Sequence, residues 1–337
     1  MQSDVSCLLF LFLLISTGAF AQQDASYQTP PKAIQDLVLS KPTPGVSINS
    51  NADWLLLMER SDFPDIAELA EPELRIAGLR INPANFGPTR SGASTNLQLK
   101  HIKTGKVHDI SGLPQNLRAS SVQWSPDEKQ FSFIHSGPKE IDLYMVNVEG
   151  KKATKVNKTP LNTILGNSYQ WVGNNQLMYK TIVPSHQLST KRAAPSGPIV
   201  QENLGREAAS RTYQDLIRNP YDEALFEYYA TAQLVTNNLQ GETPIGKPQL
   251  YRSFNVSPNN QFILTTTILK PFSYLVPAFG FPHSVDILDM QGKVVKHMAL
   301  NPSSEGAPIG FDDVVNYARN YNWRDDEGAT LTYVKAL

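Results

Sequence analysis

Beyond position 7 the chain has no cysteine. That excludes disulfides, cysteine-based zinc sites and a cysteine nucleophile from everything downstream. Beyond Ser16 it has no hydrophobic run approaching the roughly 20 residues that span a bilayer. It lacks an excess of either charge. Lys and Arg number 30 against 31 Asp and Glu, so no global field draws the chain to nucleic acid or to an anionic membrane. The signatures of common chemistries are missing too. None of His101, His108, His135, His186, His283 and His297 falls in H-E-x-x-H or H-x-H, and there is no P-loop or G-x-G-x-x-G. No metal or cofactor is expected. Gly92-Ala93-Ser94-Thr95-Asn96 begins like a G-x-S-x-G nucleophile elbow but has Asn where the second Gly belongs. The reading is a chain without a complete catalytic apparatus of its own.

What is present first is an N-terminal leader. Cys7–Ser16 is a continuous apolar run, and Ala19-Phe20-Ala21 supplies a small-x-small pattern before Gln22. Residues 1–21 read as a secretory signal peptide, although the segment before the run carries Asp4 and no Lys or Arg. The expectation is an exported protein, periplasmic or extracellular. Residues 22–44 are polar and proline-containing and read as a linker with one short strand at Leu37–Leu39.

From Gly45 onward short strands and turns dominate, in keeping with 24 prolines and 20 glycines. Ser120–Val156 is the clearest unit. Val122 and Trp124 alternate with polar neighbours, Ser125-Pro126-Asp127 is turn chemistry, and Phe131, Phe133 and Leu143–Val148 alternate again. Glu149-Gly150 then turns the chain into a last strand, Ala153–Val156. Such a four-stranded meander of about 40 residues has the size of one β-propeller blade. Further starts fall at Gly45–Ile48, Tyr169–Asn174, Phe254–Asn259 and Tyr321–Asp326. The predicted fold is all-β: a propeller of four-stranded blades, about four plus a partial fifth, over 45–337. The Trp and Phe residues at the starts are read as core anchors.

Two insertions interrupt the repeat, Ala67–Ile81 and a helical one at about 199–232. In the second, Ala209, Tyr213, Leu216 and Ile217 mark one helix face. Asn219-Pro220 starts a second helix with Asp222 and Glu223 in its first turn. Two titratable clusters are read as surface features: His108 paired with Asp109, and Asp325-Asp326-Glu327 as a solvated turn.

With these residues in view, the sequence resembles the propeller region of the prolyl oligopeptidase family of serine peptidases, in its glutamyl endopeptidase-like branch. The segments that carry the resemblance are Ala70–Ile81, Val122–Asp127, Pro195–Pro198, Arg211–Leu216, Tyr221–Glu223 with Phe226–Thr231, Arg252-Ser253, Pro271–Tyr274 with Val276-Pro277, Phe281-Pro282 and Asn322–Arg324. The resemblance implies a propeller that limits entry to a C-terminal α/β-hydrolase domain carrying Ser, Asp and His; that domain is absent from this sequence. It implies a peptide substrate, cut after Glu in the full-length form. Recognition of Glu calls for a fixed cation, and Arg pairs a carboxylate bidentately. Arg75, Arg80 and Arg211 are the candidates, against a local alternative in which they pair with Glu71, Glu73 or Asp215. The competing function is a free-standing propeller-like binding protein without hydrolase activity.

Overall fold

The computed structural model of the chain describes residues 28–61, 63, 64, 66–185, 188, 213–307 and 314–336. The chain divides into two compact units, Met1–Pro42 and Thr43–Leu337, each described by itself. In the first, the expected strand at Leu37–Leu39 is instead the end of a helix, α1 (Lys32–Val38). Lys, Ala, Gln and Leu are good helix formers, and Lys32 Nζ meets Asp36 Oδ1 one turn on at 3.0 Å. The leader read at 1–21 lies outside the described residues.

The second unit is a series of antiparallel meanders. The first starts with β1 (Gly45–Ile48) and β2 (Trp54–Arg60). It is then interrupted by a short helix, α2 (Ile66–Leu69), and by an inserted three-stranded sheet, β3 (Leu74–Ile76), β4 (Leu79–Asn82) and β5 (Gly87–Pro88). It resumes with β6 (Ser94–His101) and β7 (Val107–Asp109). The second meander, β8 (Ala119–Trp124), β9 (Gln130–Ser136), β10 (Ile141–Asn147) and β11 (Lys152–Lys155), follows the sequence reading of Ser120–Val156 closely. The third is β12 (Tyr169–Trp171), β13 (Leu177–Thr181), β14 (Ala232–Asn237) and β15 (Glu242–Gln249). Between β13 and β14 lies α3 (Pro220–Ala230), capped by Asn219, whose side chain accepts from the Asp222 N–H. The fourth is β16 (Tyr251–Val256), β17 (Phe262–Ile268), β18 (His283–Asp289) and β19 (Val294–Asn301). A two-stranded pair follows, β20 (Arg319–Trp323) and β21 (Leu331–Val334). The helix expected over Arg206–Ile217 lies largely outside the described residues, and its described end, 213–217, is not helical.

Alternation along each strand explains how the meanders stack. Phe131 and Phe133 of β9 join Leu56, Leu97 and Leu99 of the first meander in one buried core. Ile134, from the opposite face, joins Tyr169, Trp171 and Tyr179 of the third. Val172 and Leu234 of the third meet Tyr251, Phe254 and Ile263 of the fourth. Leu264 and Val285 then meet Trp323. Each interior sheet therefore buries both faces against sequence neighbours, which removes the clean apolar-in, polar-out pattern of a one-sided sheet.

The first strands also hold one another by polar links. Trp124 Nε1 donates to Ser47 Oγ of β1 at 2.9 Å. Trp171 Nε1 donates to the Gln123 carbonyl of β8 at 3.3 Å. Trp323 Nε1 donates to the Asn255 carbonyl of β16 at 3.0 Å. β16 has Val256 where β8, β12 and β20 have Trp. There Gln170 supplies the link, donating to Asn255 Oδ1 and accepting from the Val256 N–H. Just before β12, Gly166 (φ +50°) lies so close to β16 that an added Cβ would sit 1.9 Å from the Arg252 carbonyl oxygen.

Two substitutions test this arrangement. Gly166→Ala combines a positive φ with a backbone clash and is expected to cost about 2–3 kcal/mol of unfolding free energy. Trp171→Phe keeps most of the ring but deletes the indole donor, at an expected cost of about 1–2 kcal/mol. Urea midpoints equal to wild type for both would contradict these roles.

Candidate functional site

Within a meander the chain turns at one end after the first strand and at the other after the second. The turns after the first strands are tight. Ser125 Oγ donates to Asp127 Oδ1, and Ser257 Oγ donates to Asn259 Oδ1, so both Ser-Pro-Asp/Asn turns close on the same contact. The connection between second and third strands carries the insertions. In the first meander it holds α2 and β3–β5. In the third it holds α3, and in the fourth the loop Leu269–Pro282. All three leave from the same end, and there they meet.

Their meeting is a single apolar core. Ile76, Ala77 and Ile81 of the inserted sheet, Phe226 and Ala230 of α3, and Phe272, Val276, Ala278 and Phe281 of the loop are buried together. Phe226 makes edge contacts with Phe272 (5.1 Å) and Phe281 (5.5 Å), and the last two stack at 5.4 Å. Backbone bonds lock the pieces: the Ala278 N–H donates to the Ala77 carbonyl at 2.8 Å, and the Gly78 N–H to the Asp215 carbonyl at 2.9 Å. Among the described segments that carry the family resemblance, Ala70–Ile81, Phe226–Thr231, Pro271–Tyr274 with Val276-Pro277, and Phe281-Pro282 thus contribute to one cap over one end of the sheets.

The predicted cations are placed on and around this cap. Arg75, on β3, donates through Nε to Glu73 Oε1 at 2.7 Å. Glu73 also accepts from the Thr89 hydroxyl at 2.8 Å and lies 3.8 Å from Arg90 Nε. The Thr89 bond first, and then Arg75, hold the Glu73 carboxyl below the usual carboxylate range. Arg80, on β4, pairs with Asp215 at 3.4 Å. Both side chains are therefore engaged by carboxylates of the chain itself. Arg211 lies outside the described residues. A nearby network joins Arg118 to Glu68 of α2 (2.8 Å) and to Glu71 (3.5 Å), tying the insert to β8.

Two cations that the sequence did not single out stand at the same end. Lys180, near the end of β13, is buried, and its Nζ donates to the Leu165 carbonyl. Burial alone pushes its pKa down to about 7. Arg252 is the extra residue of a β-bulge between Tyr251 and Ser253, and its guanidinium lies 5.4 Å from the centre of the Phe279 ring. Arg252 enters the sequence reading only as part of a segment that carries the resemblance, and Lys180 not at all, because burial and the absence of a counter-ion among the described residues are properties of the packed chain.

The remaining residues singled out in the sequence stand apart from the cap. His108 and Asp109 do not pair, contrary to expectation. As strand neighbours they point to opposite faces. His108 packs against Trp54 at 5.8 Å, while Asp109 accepts from Gln98 Nε2 at 2.7 Å. Asp326 is held by Arg324 at 2.5 Å in an exposed turn. Among the described residues no group of three or more His, Cys, Asp or Glu is arranged to hold a metal ion, and no helix is long and apolar enough to cross a membrane.

No family model matches the chain. It is 33% identical over 325 residues to a probable chloroplastic glutamyl endopeptidase of Oryza sativa subsp. japonica, covering 92% of this chain and 34% of that protein. It is 31% identical over 340 residues to the Arabidopsis thaliana protein of the same description, covering 94% and 35%. The chain thus spans about a third of the length of either relative. Among solved structures, an acylaminoacyl peptidase in complex with Z-Gly-Gly-Phe-chloromethyl ketone aligns at TM-score 0.41 with 12% identity, over 79% of this chain and 34% of that one. The β-propeller domain of the Trilobed protease from Pyrococcus furiosus aligns at 0.37 with 11% identity, over 77% and 57%. The expected periplasmic or extracellular location is corrected by the same comparison: both relatives are chloroplastic, an organellar address and neither of the predicted ones.

Lys180 makes stability depend on pH in a definite direction. The unfolded chain keeps its proton to about pH 10, whereas the folded chain releases it near 7. Between those values the unfolded state binds more protons, so stability rises with pH. Lys180→Met is expected to remove that part of the slope and to stabilise the fold at pH 7 by an amount on the order of a few kcal/mol. Urea unfolding at pH 7.0 and 9.5 checks it; an identical pH dependence in wild type and variant counts against a buried, neutralised lysine. Over more than nine-tenths of its length the chain, mostly β in fold, is similar to two plant proteins described as probable glutamyl endopeptidases, of which it spans about a third.

Proposed function

We propose that this chain is the N-terminal, substrate-gating propeller portion of a prolyl-oligopeptidase-like serine peptidase that cuts peptides after Glu. The observation that carries the reading is the match to two glutamyl endopeptidases across more than nine-tenths of this chain but only about a third of theirs. In this reading the four meanders are blades, β20–β21 begins a fifth, and the domain occupies 45–337 after a linker at 22–44. A C-terminal α/β-hydrolase domain supplies the triad, since no G-x-S-x-G occurs in these 337 residues.

The physical logic is division of labour. A hydrolase needs a serine on a strained elbow beside an imidazole and an oxyanion hole. A stack of sheets contributes none of these. It contributes a rigid wall that admits extended peptides and turns away folded proteins, and a surface on which a substrate side chain is recognised. Burial of both faces of the interior sheets supports the rigidity that such a wall needs. Recognition of the side chain falls to cations at the insert end. Arg75, Arg80 and Arg211 remain the sequence-derived candidates for the carboxylate, the first two with their existing partners Glu73 and Asp215 as competitors.

The 337-residue chain is expected to leave a fluorogenic peptide ending in Glu uncut. The product of the continued reading frame is expected to cut it, and to lose activity when the serine of its G-x-S-x-G is replaced by Ala. A frame that continues without that motif, or a longer product that cuts equally well after Gln, would overturn the reading.

A further inference from the structure

Arg252 differs from the other arginines of the insert end. Arg75 and Arg80 are about half exposed and already paired with carboxylates. Arg252 is half-buried, yet it makes no ion pair and donates no side-chain hydrogen bond to any described residue. Burial lowers its pKa, and only the Tyr317 hydroxyl acts in the opposite direction. A guanidinium brings five donors in a planar fork, and partly withdrawing it from water with no acceptor for them among the described residues is costly. Such a cation is suited to receive an anion.

The surroundings define the anion. Arg252 is displayed by the bulge at the start of β16, and bulges re-aim a side chain out of the ladder. Its guanidinium carbon lies over the ring of Phe279, which is itself 49% exposed, and Leu275 of the same loop is 58% exposed. His283 lies within electrostatic reach of Arg252. Asn301 Nδ2 donates to its Nε2 and its Nδ1 faces the Phe281 carbonyl, both at 3.1 Å, an arrangement met by the neutral ring. Burial first, and Arg252 itself, lower the His283 pKa further. The result is one fixed cation beside exposed apolar surface: a fork for a carboxylate and a platform for the methylenes or the neighbouring side chain that accompany it.

We propose that Arg252 and Phe279 form a binding site for the side-chain carboxylate of an acidic residue in an extended peptide. The inference rests on the reading that this chain contacts peptide substrates, and it moves the recognition of Glu from the self-paired Arg75 and Arg80 to Arg252.

The test measures binding of N-acetyl-Leu-Glu-amide and N-acetyl-Leu-Gln-amide to the full 337-residue chain by NMR titration at pH 7. The Glu peptide is expected to bind about tenfold or more tightly than its Gln isostere. Arg252→Met is expected to bring the two affinities together, while Arg75→Met and Arg80→Met leave their ratio unchanged. If Arg252→Met loses the native near-ultraviolet circular dichroism, Arg252→Lys carries the test. It keeps the charge but not the fork, and the ratio is expected to fall while staying above one. A ratio unchanged by a folded Arg252 variant, or one abolished by Arg75→Met or Arg80→Met, overturns the site. Equal binding of both peptides to wild type overturns the site alone, whereas binding of neither overturns the peptide-contacting reading together with it.

Discussion

The indole N–H of Trp171 reaching the Gln123 carbonyl of the neighbouring first strand is the contact on which the other features depend. A tryptophan at that place does two jobs. Its ring fills the space between adjacent sheets, and its one polar atom finds an acceptor on the next first strand. Trp124 and Trp323 repeat it, and Gln170 replaces it where β16 has Val256. With both packing and direction specified, each meander is held against its predecessor in one orientation rather than by apolar contact alone.

That orientation sends every second-to-third-strand connection to the same end. Three segments far apart in sequence, around Ala77, Phe226 and Phe281, therefore share one core. Their convergence costs backbone polar groups their solvent, and the Ala278–Ala77 and Gly78–Asp215 bonds compensate. The same convergence sorts the cations. Arg75 and Arg80 acquire carboxylate partners from within the cap, Lys180 is sealed beneath it, and Arg252 is left at its margin over the Phe279 ring.

Much of the strand layout was legible in the residues. Ser-Pro followed by Asp or Asn marks the tight turns because a short polar side chain closes on the turn serine, and the observed strands begin and end close to where alternation places them. The Asn219-Pro220 helix start was legible for the same reason: capping is local chemistry. Less was legible where context overrides propensity. Glu242–Gln249 contains two prolines and a glycine and does not read as a strand, yet it serves as the last strand of its meander, where prolines are tolerated. Leu37–Leu39 is apolar enough for a strand but finds no ladder partner and closes a helix.

The sequence by itself determined the mostly-β character, the spacing of the repeats, the positions of the insertions and the absence of a nucleophile elbow. These depend on residue type and on neighbours within a few positions. Tertiary structure alone decided that the insertions share one end, that His108 and Asp109 face apart, and that Lys180 is buried. A salt bridge such as Arg80 to Asp215 joins residues 135 positions apart, counting from 80 to 215. Its formation, and the isolation of Arg252, follow from where the sheets bring side chains together and how much water remains around them. The sequence offered Glu73 and Asp215 as partners for Arg75 and Arg80, and only the packing decided that the pairs form.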